Sequence, residues 1–167
     1  MKKLYAPWRK KYVTDKPTGN TPEACVFCHK LAATDDAKNL ILQRYKYNAI
    51  IMNLYPYSAG HLMVIPLQHL MYPIQLDTAA QKEMFTLMAH SVQILNIALK
   101  SDGTNVGLNL GAAAGAGIPG HLHMHVLPRW AGDTNFMPLL AEVKPISMDL
   151  AEIYMQLKPH FENLKIE

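Results

Sequence analysis

Residues 121–127 read His-Leu-His-Met-His-Val-Leu, and this alternation constrains the chain more than any other stretch. An extended strand sends residues i, i+2 and i+4 to one face. The pattern predicts a strand over 122–127 that buries Leu122, Met124 and Val126 and lines one surface with His121, His123 and His125. Same-face side chains on a strand stand about 6.5–7 Å apart, which suits a row of groups along a polyphosphate, or two ligands on one metal. Immediately upstream, Gly111 to Gly120 holds four glycines, four alanines and no hydroxyl or charged side chain. Such a loop lets peptide N–H groups approach an anion closely, with Gly117 and Ile118 in its second half, and Asn109 just before it adds an amide.

The surrounding pattern predicts an α+β fold. Residues 39–44 and 47–53 read as strands, Tyr55 to Gly60 as a turn, and His61 to Pro66 as a third strand. A helix starts at the N-cap Asp77, repeats Met84, Leu87, Met88, Ser91, Leu95, Ala98 and Leu99, and ends near Lys100. Strands over Thr104 to Leu110 and 122–127 complete an antiparallel sheet of about five strands packed on that helix. A last helix from about Asp149 carries Pro159 and is expected to bend or break near Lys158.

At 167 residues, half of them apolar and 17% charged, the chain fits one globular domain. It contains no run of eighteen apolar residues, and charges flank the aromatic patch of its N-terminus, so neither a membrane span nor a secretory leader is read and a cytoplasmic location is expected. The first sixteen residues carry six Lys/Arg against one Asp, which leaves the other 151 close to neutral. That distribution argues against nucleic acid as a partner and makes the basic arm a solvated tail.

Two cysteines, Cys25 and Cys28, are spaced CxxC and cannot staple a loop of useful length. No βαβ pattern surrounds them, so metal binding is favoured over redox chemistry. A tetrahedral site needs two further ligands, for which His69 and His121 are candidates and His29 a competitor.

With these residues in view, the sequence resembles the histidine triad (HIT) nucleotide hydrolases and transferases, whose signature His-φ-His-φ-His-φ-φ is complete over 121–127. The likeness extends through Leu4-Tyr-Ala-Pro-Trp-Arg, the CVFC segment, Asn53, Gly60-His61, Gly107-Leu-Asn109 and Pro128-Arg-Trp-Ala-Gly-Asp-Thr-Asn-Phe-Met. Its head and tail look like the branch of diadenosine tetraphosphate phosphorylase-like and Fhit-like proteins. The resemblance implies a single HIT domain over 1–167, with residues 1–20 as an arm and 131–167 as an extension. It also implies the family's usual homodimer, a dinucleoside polyphosphate substrate, a structural zinc on Cys25, Cys28, His69 and His121, and no organic cofactor. By the same resemblance His123 attacks the α-phosphorus to form a nucleotidyl-histidine. Its proton is held by the backbone carbonyl of His121, and His125 contacts the phosphoryl oxygens. Asn53 meets the ribose, and His61 lines the site. Many relatives carry a hydroxyl residue shortly before the triad, where this chain has Gly115-Ala-Gly-Ile-Pro-Gly120, so its loop must act through backbone N–H groups.

Two rival readings belong to other classes. A zinc-dependent hydrolase would hold a catalytic metal on the His121/His123 pair and take Asp133 as its base. A nucleotide-binding module without catalysis would keep the fold alone.

Overall fold

The computed structural model describes residues 21–134 and 149–166. The basic arm over 1–20, with Trp8, and the Asn135-Phe136-Met137 part of the tail lie outside the described residues. Five strands, β1 (Ile41–Arg44), β2 (Asn48–Met52), β3 (Leu62–Pro66), β4 (Gly103–Leu108) and β5 (Met124–Arg129), form one antiparallel sheet in the order β1-β2-β3-β5-β4. Among the described residues three α-helices accompany it: α1 (Val26–Ala32), α2 (Thr78–Leu99) and α3 (Leu150–Glu162). The architecture is the expected α+β one. Among the described residues no helix is long and apolar enough to cross a membrane.

Both faces of the central strands are covered, which is why β2 from Ala49 onward and β3 read as unbroken apolar runs rather than alternating ones. On one face Leu42, Ile50, Met52, Leu62, Val64, Leu122 and Val126 pack against Met84, Leu87 and Leu95 of α2 and Ile153, Leu157 and Phe161 of α3. On the other, Ile41, Ala49, Ile51, Met63 and Ile65 pack against Cys25 and Phe27.

The Asp77 carboxylate caps α2 by accepting from the Ala80 N–H at 2.7 Å, and Lys100 ends the helix in the left-handed region. Glu83 of α2 reaches back to the β1–β2 turn, accepting from the Tyr47 and Asn48 N–H groups at 2.9 and 2.8 Å. Asp149 caps α3, but this helix does not break near Lys158; it runs through Pro159 to Glu162. The proline withholds its donor only from the Met155 carbonyl, and Met155 lies on the exposed side, where water can serve that oxygen. Tyr154 and Lys158 of α3 donate to the Ile41 and Leu42 carbonyls at 3.0 and 2.7 Å, closing the β1 edge.

Gly60 turns the chain into β3 with φ +73°, and a Cβ there would run into Leu99 Cδ1. Gly60→Ala should therefore cost about 2–4 kcal/mol, combining left-handed strain with overpacking. The midpoint of urea unfolding measures this; an unchanged midpoint would mean that neither the left-handed φ nor Leu99 resists a Cβ at this position.

Candidate functional site

The triad sits where β5 begins. The strand starts at Met124, two residues later than the alternation predicts, because Leu122 gives its N–H to the Leu70 carbonyl at 2.6 Å instead of to a neighbouring strand. Leu122, Met124 and Val126 do face the α2 side, as expected. The imidazoles, however, are not an open row. His121 and His123 are buried, and the Phe27 ring of α1 stands 5.4 Å from each. His125, half-buried, lies opposite Met63 on β3 and Gly107 on β4. A Cβ at Gly107 would meet nothing within 4 Å, so the floor beside His125 is open toward β4.

His123 turns Nδ1 to the His121 carbonyl at 2.8 Å, so Nδ1–H donates there and Nε2 keeps its lone pair. Burial lowers its pKa, and the bond to the His121 carbonyl opposes that only in part. The β4–β5 register pairs Gly107 with His125 and ends with Leu108 opposite Met124, one residue short of Asn109 on one strand and of His123 on the other.

Beside His125 lies His61, Nε2 to Nδ1 at 2.9 Å, itself buried at the start of β3. Burial first, and neighbouring imidazoles second, hold His61 at about 3 and His125 at about 4. Asn53 does not stand apart as a free amide: its Nδ2 is 3.3 Å from His61 Nδ1, and its Oδ1 accepts from the Tyr55 N–H at 3.0 Å. The Tyr57 ring covers both imidazoles, 4.8 Å from His61 and 6.0 Å from His125.

His121 points elsewhere. Its Nδ1 lies 3.4 Å from Cys25 Sγ and 3.6 Å from Cys28 Sγ, while Cys28 Sγ is 3.3 Å from His69 Nδ1. The four donor atoms all fall within 4.8 Å of one another, a group that could hold a metal ion. Opposite the sulfurs, His121 Nε2–H donates to the Pro66 carbonyl at 2.9 Å, which leaves Nδ1 as the electron-pair donor a metal requires. Burial and the adjacent Cys25 push the Cys28 thiol up to about 11, a value that a cation between the sulfurs would reverse. His29, the competitor, faces away and binds the Glu23 carbonyl at 2.6 Å.

In the Gly/Ala loop, Ala114, Gly115 and Ala116 give their N–H groups to Gly111 and Ala112 carbonyls. Gly111 and Gly115 take φ of +84° and +90°, as their lack of a Cβ permits. The Ile118 side chain packs toward the α1-side core and its carbonyl accepts from the His121 N–H, so only its own N–H remains to face a ligand.

Sequence reasoning missed α1, a seven-residue helix too short to carry a periodic signal, and with it Phe27 over the triad. It also missed Arg44, whose guanidinium donates to the Leu31 and Ala33 carbonyls at 2.6 and 2.9 Å and pairs with Asp36 at 2.8 Å, fastening the end of α1 to β1. Asp133, the base of the rival hydrolase, is paired with Arg129 through both carboxylate oxygens, and the Arg129 guanidinium also donates to Asn105.

A zinc-bound histidine triad family protein from Mycobacterium smegmatis shares the fold with a TM-score of 0.67 at 24% identity, over 85% of this chain and 96% of that one. An AP-4-A phosphorylase of Mycobacterium tuberculosis is 31% identical over 150 residues, 87% of this chain and 77% of that protein. The asymmetrical bis(5'-nucleosyl)-tetraphosphatase of Schizosaccharomyces pombe is 28% identical over 116 residues, covering 69% and 63% of the two chains. The HIT domain model itself matches residues 34–132, more than half of the sequence and all of the triad. With the triad complete and that match in place, the chain belongs to the HIT domain family.

Proposed function

We propose that this protein cleaves dinucleoside polyphosphates through a covalent nucleotidyl-histidine. The observation that carries the reading is the 2.8 Å bond from His123 Nδ1 to the His121 carbonyl, which leaves one nitrogen of a buried, neutral imidazole free to attack. His123 Nε2 forms a bond to the α-phosphorus, the bond from that phosphorus to the bridging oxygen breaks, and its electron pair leaves with the departing nucleotide. Water or phosphate then takes the nucleotidyl group and frees Nε2. His125, Asn109 and the N–H groups of Gly117 and Ile118 supply donors to the phosphoryl oxygens, a role suited to charge that grows in the transition state. The relatives from M. tuberculosis and S. pombe, named as a phosphorylase and a tetraphosphatase, support the substrate class.

We take the Cys25, Cys28, His69, His121 group as a structural zinc site. Zinc bonds of about 2.3 Å to sulfur and 2.0–2.1 Å to nitrogen at tetrahedral angles give S···N edges of about 3.5 Å. Three of the four S···N separations are 3.3, 3.4 and 3.6 Å, and all four donor atoms lie within 4.8 Å of one another. Four protein ligands leave no open position, so the metal would brace α1 and the segment before β5 rather than enter the reaction. We take residues 1–167 as one HIT domain. A second copy is assigned to the β4 edge, where Val106 and Leu110 are exposed while the opposite edge is closed by α3.

Product analysis with diadenosine tetraphosphate, with and without phosphate, tests the reading and selects the acceptor. ADP plus ATP marks transfer to phosphate, and AMP plus ATP marks transfer to water. Binding without turnover under either condition would leave a nucleotide-binding module instead.

A further inference from the structure

His61 and His125 share one proton across the 2.9 Å separation of Nε2 and Nδ1, and the ring that owns it is decided one residue further in. His61 Nδ1 faces the Tyr57 backbone N–H at 3.2 Å and Asn53 Nδ2 at 3.3 Å. Both are donors only, since neither a peptide N–H nor an amide nitrogen offers a lone pair. The orientation of the Asn53 amide is fixed independently: its Oδ1 accepts from the Tyr55 N–H at 3.0 Å, and turning the amide over would set donor against donor. His61 Nδ1 is therefore the acceptor. Its proton sits on Nε2 and is donated to His125 Nδ1, which leaves the proton of His125 on Nε2, the nitrogen turned away from His61.

We propose that Asn53, together with the Tyr57 N–H, is a positioning residue that sets the tautomer of His125 through His61, so that His125 presents an N–H, and not a lone pair, to a phosphoryl oxygen. Burial supports the neutral state of both rings that this requires. Residues 111–120 carry no hydroxyl or charged side chain, and the His123 ring, 4.9 Å from His125 between centroids, keeps its own proton on Nδ1 for the His121 carbonyl. The use of that N–H rests on the nucleotidyl-transfer reading; the tautomer does not. The role is separate from a ribose contact: these two bonds leave the half-buried Asn53 amide a second N–H and a second lone pair.

Long-range ¹H–¹⁵N correlation spectra of the full-length protein near pH 7.5 report histidine tautomers directly. His61 and His125 should both show a protonated Nε2 and a bare Nδ1; a protonated Nδ1 on His125 overturns the proposal, whether or not the protein turns over diadenosine tetraphosphate. Two variants probe Asn53. Asn53→Ala removes one of two donors and should lower kcat no more than about fivefold, because the Tyr57 N–H remains. Asn53→Asp keeps the shape but brings an acceptor to His61 Nδ1, so it should put a proton on that nitrogen and lower kcat at least about thirtyfold. A ribose contact alone, without the positioning role, would give the reverse order, with aspartate tolerated better than alanine and the loss in KM. That order, or an aspartate variant with unaltered His61 signals, sinks the idea. If neither variant folds, the wild-type spectrum still decides.

Discussion

His123→Ala should abolish turnover while leaving nucleotide binding nearly intact. The lost step is covalent, and the loop, Asn109 and His125 still meet the phosphates, so the effect falls on kcat and hardly on KM. Removing the attacking nitrogen should cost at least about 4 kcal/mol of barrier, roughly a thousandfold in rate. A variant retaining more than about a tenth of wild-type kcat would take His123 out of that role. The same geometry bears on pH. Burial shifts the His123 pKa below its ordinary value, so the neutral form, the one that can attack, persists to lower pH than in a solvated imidazole. The acid limb of kcat/KM should accordingly lie below the usual histidine range, and a limb at or above it would show that another group controls the rate.

The second large effect belongs to the cysteines. Protein prepared without added metal should carry close to one zinc per chain. Cys25→Ala with Cys28→Ala should then lose that zinc and at least about 10 °C of thermal stability, since metal binding energy is folding energy where the ligands come together only in the native state. The loss will not be total, because the sheet has a second core on α2 and α3 that does not depend on α1. Activity should fall as well, but through position: Cys25 anchors the helix whose Phe27 packs on His121 and His123. Metal content by elemental analysis and melting by circular dichroism check both parts. Metal-free wild-type protein that melts with the double variant would reduce CVFC to a packing segment.

The strands and long helix were legible because each carries its own local signal. The Asp77 cap, the apolar repeat of α2 and the alternation through Val126 hold whatever the rest of the chain does. The resemblance carried by the triad likewise pointed to the observed fold, to the hold of the His121 carbonyl on His123, and to the four clustered metal donors. Failures came where a long-range partner overrode the local pattern. Leu70 captures the Leu122 N–H and delays β5, and Pro159 is tolerated because the carbonyl it leaves unserved faces outward.

Sequence alone thus determined that three histidines alternate with core residues, that a glycine- and alanine-rich loop precedes them, and that two cysteines stand at CxxC spacing. Those are properties of spacing, and spacing along one strand or loop survives without knowledge of any other element. Only the tertiary structure decided what each imidazole does. His121 is drawn to the cysteines, His123 to a carbonyl two residues back, and His125 to a histidine 64 residues away. An imidazole has two nitrogens and, when neutral, one proton, so its chemistry depends on which nitrogen is already engaged. For His121 and His125 the partners come from the start of α1, from β3 and the residue before it, and from the turn after Asn53, segments whose approach no periodicity encodes.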